Sequence, residues 1–178
     1  MAIAFDAASN SGAKTTATSA SWTHTPVGTP TVVIVCTGGQ GADAGRPVLT
    51  VTYGGVSMAQ VIVRDETTVE NIAVEIWALA NPPSGAQTVV VTITSAITRW
   101  AAGAVTYTGS DTTTATEASN SAQQIGVGGP PTVDVTSVSD NAWAVDSVYQ
   151  KQATPPTPDA GQTQRNIVDF GSFVFLSS

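Results

Sequence analysis

The chain is poor in charge, in histidine and in cysteine. Charged side chains make up 11% of its 178 residues, against a usual quarter. Six Lys and Arg stand against thirteen Asp and Glu, for a net charge of −7. So few dispersed cations leave no electrostatic footprint for nucleic acid. No apolar run reaches the roughly 18 residues of a membrane span, so no membrane partner is expected. One histidine, His24, cannot build an imidazole metal cluster. One cysteine, Cys36, closes no disulfide within the chain. In its apolar run TVVIVCTGG it reads as a buried, inert thiol, in a fold that needs no oxidising compartment. The opening MAIAFDAASNSG lacks the basic region and apolar core of a secretory signal, so assembly in a cytoplasm is expected. Glu, Lys, Arg and Leu are scarce, which argues against helices.

In place of charge stand Ser and Thr, about a quarter of the chain, with Val, Ala and Gly. Hydrophobic residues reach 42%, enough for a core. The length suits one domain over 1–178, with residues 1–17 available as an extended N-terminal arm.

Short β-type runs recur between Gly, Pro, Asn, Asp and Ser clusters. Expected strands are Thr18–Thr25, Thr31–Thr37, Val48–Tyr53, Val56–Arg64, Glu70–Ala80, Gln87–Thr94, Trp100–Thr108, Thr132–Thr136 and Ala142–Gln150, with Ala2–Asp6 a candidate first strand and Gln164–Phe170 and Phe173–Ser177 candidates to close the sheet. Thr31–Thr37 is continuously apolar, as in a strand buried on both faces. Val48, Thr50 and Thr52 alternate with Leu49, Val51 and Tyr53. Gly54-Gly55 fits a two-residue hairpin turn. Expected loops are the glycine-rich Gly38–Pro47, the polar turn Asp65–Val69, Asn81–Gly85 and Thr154–Gly161. Thr112–Gly129 reads either as a weak edge strand or as a long surface loop. With turns every 8–12 residues, the pattern predicts an all-β antiparallel sandwich of about 10–11 strands without substantial helix.

The residues for chemistry are few. A nucleophile–base pair would have to use His24, which lies in the strand pattern SWTHT on the same face as Trp22 and reads as a packed or surface strand histidine. Asp65, Glu66, Glu70 and Glu75 lie close in sequence and read as a solvated hairpin end. A weak calcium site at Asp65 and Glu66 is the alternative, without an EF-hand pattern. GGQGADAG lacks the strand–loop–helix context of a phosphate loop. No metal, cofactor or catalytic set is therefore expected, and the chain reads as a non-enzyme. Trp22, Trp77, Trp100 and Trp143 all fall in strand patterns. Trp100, at the polar start of its strand, is the candidate for stacking on a glycan.

Five segments together resemble a known group. They are Tyr53-Gly54-Gly55, Glu75–Pro83, Thr88–Thr94, Gly103–Asp111 and the turn Gly161-Gln162-Thr163. The series resembles jelly-roll-like β-sandwich domains of phage virion proteins and bacterial surface proteins. Its motifs are turn and strand signatures, not catalytic ones. The resemblance implies a longer ending than FGSFVFLSS, with a last strand shortened, missing or supplied by a neighbour.

The resemblance further implies a virion structural protein on the capsid exterior, a decoration, cement or head-fibre component. Its partners would be the major capsid protein or other virion proteins, and such proteins in general suggest a homo-oligomer, a trimer. The alternative is a carbohydrate-binding or host-adhesion module that takes host glycans.

Overall fold

The computed structural model describes residues 2–41, 48–69, 71–94, 98–125, 132–151, 156–170 and 174–177. They hold twelve strands: β1 Ala4–Asn10, β2 Ser19–His24, β3 Val32–Gln40, β4 Val48–Tyr53, β5 Val56–Ser57, β6 Ala59–Glu66, β7 Ile72–Ala80, β8 Gln87–Ile93, β9 Arg99–Thr108, β10 Ser147–Gln150, β11 Asn166–Asp169 and β12 Val174–Ser177. No helix occurs among the described residues. The expected antiparallel all-β sandwich is what forms.

Three sheets make three layers. The middle sheet has the order β1-β9-β3-β7-β6, and a four-stranded sheet has the order β2-β8-β4-β5. Along the chain these strands alternate between the two sheets, except at the hairpins β4–β5 and β6–β7. That alternation is the jelly-roll-like path. A third sheet, β10-β12-β11, gathers the C-terminal strands, and two of its residues join the core on the far face of the middle sheet.

The middle sheet is therefore buried on both sides. On β3, Val33 and Val35 face the four-stranded sheet. Val32, Ile34 and Cys36 face the C-terminal layer. On β9, Trp100, Ala102 and Ala104 take the first side, with Ala101, Val105 and Tyr107 on the second. A strand packed between two layers has no solvent face to fill, which is why its sequence is apolar without alternation. The outer strands do alternate. On β8, Val89, Val91 and Ile93 are buried, Val90 and Thr92 between them are half-buried, and Thr88 just before them is exposed.

Several sequence expectations are corrected. Val56–Arg64 is two strands, because the chain leaves the four-stranded sheet after Ser57 and enters the middle sheet at Ala59. Met58 at that step is in the core, with its N–H donating to Val51 O at 2.9 Å. Val48 does not share a face with Thr50, because the β4–β8 register shifts between them and sends Val48 into the core beside Val51 and Tyr53. Gly38 and Gly39 belong to β3, paired with Val74 and Ala73; 42–47 lie outside the described residues. Thr132–Thr136 forms no strand and is exposed; within it Asp134 O accepts from the Asn120 side chain at 2.9 Å in place of a ladder bond. Only Ser147–Gln150 of Ala142–Gln150 is strand. Within Thr112–Gly129, the described part to 125 is irregular and largely exposed.

The N-terminal residues are not a free arm. Ala4 to Asn10 pair along β9, and Lys14 bridges Trp100, its N–H donating to Trp100 O at 2.9 Å. The Gly54-Gly55 turn anticipated from sequence forms, and the second turn spans 159–162, taking in Gly161 and Gln162 but not Thr163. Gly54 and Gly55 have φ of 56° and 81°, the left-handed pair of a type I′ hairpin. Gly161, at φ 94°, takes the third position of a turn in which Gln162 N–H donates to Asp159 O at 3.0 Å, the place where a type II turn needs glycine. Gln162 Oε1 in return accepts from Asp159 N–H at 3.0 Å, and Thr163 follows exposed.

Candidate functional site

His24 ends β2 and points between the sheets, with no exposed surface. Its ring joins a polar chain whose proton directions are fixed by its ends. Trp22 Nε1–H can only donate, and it does so to Ser9 Oγ at 3.0 Å. Ser9 then has its one proton for His24 Nδ1, 2.7 Å away. His24 is left with the proton on Nε2, which faces Thr106 Oγ1 at 3.1 Å. Thr106 passes its own proton to Asp6 Oδ2 at 2.8 Å. Asp6 Oδ1 accepts from Val27 N–H at 3.2 Å and Gly28 N–H at 2.7 Å. The chain ties β1, β2 and β9 together across two sheets. Tyr53 lies edge-on to the imidazole at 6.0 Å between centroids. Its ring is buried, and its hydroxyl has no hydrogen-bond partner among the described residues.

Glu66 and Glu75 serve different places. Glu66 ends β6 and caps the following turn. Its Oε1 accepts from Thr68 N–H at 2.7 Å, Thr68 Oγ1 at 2.5 Å and Val69 N–H at 3.0 Å. Its Oε2 accepts from Asn71 N–H at 3.2 Å. Both oxygens accept from backbone N–H groups of the turn. Glu75 is fully buried instead of solvated. It accepts from Gln60 Nε2 at 2.6 Å, Trp77 Nε1 at 3.1 Å and Val48 N–H at 3.3 Å. Glu70 lies outside the described residues. No group of three or more His, Cys, Asp or Glu placed to hold a metal occurs among the described residues.

The tryptophans separate sharply. Trp100 is 1% exposed, and its indole N–H donates to Ala17 O at 3.1 Å. Its even position on β9 turns it into the sandwich core, so it offers no ring face to a sugar. Trp143, in contrast, is 50% exposed. It packs edge-to-face on Tyr107 at 5.8 Å and 74°. Tyr107 meets Phe5 at 6.4 Å and 77°, and the Arg165 guanidinium lies 3.9 Å over the Phe5 ring. Sequence reasoning missed this cluster, since its members lie on β1, β9 and two irregular stretches. The one available signal was a tryptophan in the polar stretch after Thr136.

A second surface faces the other way. The outer face of the four-stranded sheet presents Ser19, Ser21 and Thr23 on β2, Thr88, Val90 and Thr92 on β8, and Thr50 and Thr52 on β4. Register places Ser19, Thr92 and Thr50 side by side, and likewise Ser21, Val90 and Thr52. Among the described side chains, these positions of β2, β8 and β4 carry hydroxyls and one valine, and no charge. No family model, curated protein or solved structure matches the chain.

Proposed function

We propose that the protein is a structural component of a virion exterior, a decoration or cement protein that docks on the capsid through the outer face of its four-stranded sheet. The observation that carries this reading is the charge-free hydroxyl face of β2, β8 and β4. Docking there desolvates no ion, and the penalty for burying unpaired charge does not arise. Hydroxyls can donate or accept, so the same face adapts to a partner's polar rim. Jelly-roll sandwiches recur in viral capsid and lectin domains, which supports the setting by analogy of fold. The partner is the major capsid protein or another virion protein, and the docked form is a homo-oligomer, a trimer at lattice threefold positions.

The test is copurification with intact particles at near-lattice stoichiometry, followed by imaging of the shell. Charges placed on the face, as Ser21→Lys with Thr52→Glu, should abolish attachment while the isolated chain still folds. Absence of the unaltered protein from purified particles overturns the proposal. So does undiminished attachment of the doubly charged variant.

A further inference from the structure

We propose that Trp143, Arg165 and Asp146 form a binding site for a neutral pyranose unit of a glycan, on the side of the molecule away from the four-stranded sheet. The inference goes beyond the capsid reading and does not depend on it.

Tyr107 is the hub. It is 4% exposed and sits near the end of β9, one of the most buried strands. Trp143 rests on it edge-to-face, as does Phe5 from the other strand. The exposed indole is therefore backed by the rigid middle sheet. A flat, supported ring with half its surface in water is what the apolar C–H face of a pyranose stacks on.

The polar groups around it are also held in place. Arg165 is pinned over Phe5, an arrangement that keeps guanidinium N–H donors for other acceptors. Asp146 lies three residues after Trp143. Its backbone oxygen faces Cys36 Sγ at 3.9 Å, and its Oδ2 accepts from Gln162 Nε2 at 3.2 Å. Cys36, against which Asp146 rests, shares a core cluster with Tyr107, and Phe5, beneath Arg165, packs on the Tyr107 ring. A fixed acceptor and a fixed donor thus share one hub with the stacking ring. Sugar hydroxyls use both, because each donates one proton and accepts others. The two charges offset each other locally, so the matching ligand is uncharged, not a uronate or an amino sugar.

The experiment is a glycan array probed with the full chain, followed by titration of the best neutral oligosaccharide against tryptophan fluorescence. Saturable binding is expected, with quenching that disappears in Trp143→Ala. Affinity should fall about tenfold in Trp143→Ala, a factor of 1.4 kcal/mol, and should fall also in Arg165→Ala. Trp143→Phe should recover part of it. Thermal unfolding of each variant confirms that the fold survives. The charged variants of the β2–β8–β4 face should bind the sugar normally, which separates this site from capsid docking. The inference is overturned if no neutral glycan binds at millimolar concentration, if only acidic glycans bind, or if Trp143→Ala binds as tightly as the unaltered chain.

Discussion

His24 Nε2 donates to Thr106 Oγ1 at 3.1 Å, because Thr106 commits its one proton to Asp6 and has only a lone pair left for the ring. The tautomer of a buried imidazole is thus set by a carboxylate it does not touch. Neither His24 nor Thr106 has exposed surface, so water cannot replace a lost partner.

Thr106→Val keeps the shape and removes the acceptor. It strands the His24 Nε2–H and one Asp6 oxygen, and should destabilise the fold by about 1–3 kcal/mol. Tyr53→Phe, against the same imidazole, should do the opposite. Its hydroxyl is buried without a partner among the described residues, so removing it relieves a desolvation penalty and leaves stability equal or higher. Denaturant unfolding of both variants reads the contrast. Equal destabilisation by the two would show that packing, not hydrogen bonding, governs this corner.

Two buried groups give stability opposite slopes with pH. Burial holds the His24 pKa below its usual 6.5, although Asp6 pulls it upward. Its contribution is complete above pH 6.5 and is lost as pH falls from there through the lower folded value. Burial raises the Glu75 pKa above its usual 4.5, against hydrogen bonds from Gln60, Val48 and Trp77 and with Asp65 adding to the rise. Its contribution is complete below pH 4.5 and is lost as pH climbs through the raised folded value. Unfolding midpoints measured across pH should show His24→Gln flattening the loss on acidification. Glu75→Gln should flatten the loss on the alkaline side. A variant that leaves its own limb unchanged refutes the assignment of that limb.

Gly103 decides how closely the C-terminal layer sits on the middle sheet. A Cβ there would lie 2.8 Å from Asn166 Nδ2 and 2.9 Å from Asn166 Cγ, and Asn166 is itself buried. Gly103→Ala should cost about 1–3 kcal/mol by overpacking. It should also loosen the cover over Cys36, which pairs with Gly103 across the strands. In the unaltered chain that thiol is fully buried, with its pKa pushed up to about 12 by desolvation, and should resist thiol reagents until the protein unfolds. Faster labelling of Cys36 in Gly103→Ala under native conditions is the expected result. Unchanged stability and protection would mean that Asn166 simply swings aside.

The strands legible in the sequence were those with one clear rule. Alternation placed Val89, Val91 and Ile93 inward, and the unbroken apolar run marked β3 as doubly covered. The Gly54-Gly55 turn followed from the chemistry of left-handed backbone. What escaped was set by distant partners. The bulge that turns Val48 inward depends on how β4 meets β8, and the change of sheet at Met58 carries no breaker residue. Thr132–Thr136 has strand chemistry, yet none of the described strands pairs with it. For Trp100 and Trp143 the local patterns were alike. Burial of the first and exposure of the second follow from the layers, which no window of sequence contains.

The pairing of β1 with β9 joins Ala4 to Thr108, and His24 reaches Thr106 by the same route. Nothing near the N-terminus can complete its sheet until β9 has arrived. Loop-closure entropy must be met before such pairings return any free energy, which makes for slow folding. On a ribosome, β3 emerges long before its β9 partner, with the β6–β7 hairpin as the first cover it can recruit. The same double burial that makes the middle sheet stable leaves its strands the longest exposed during synthesis.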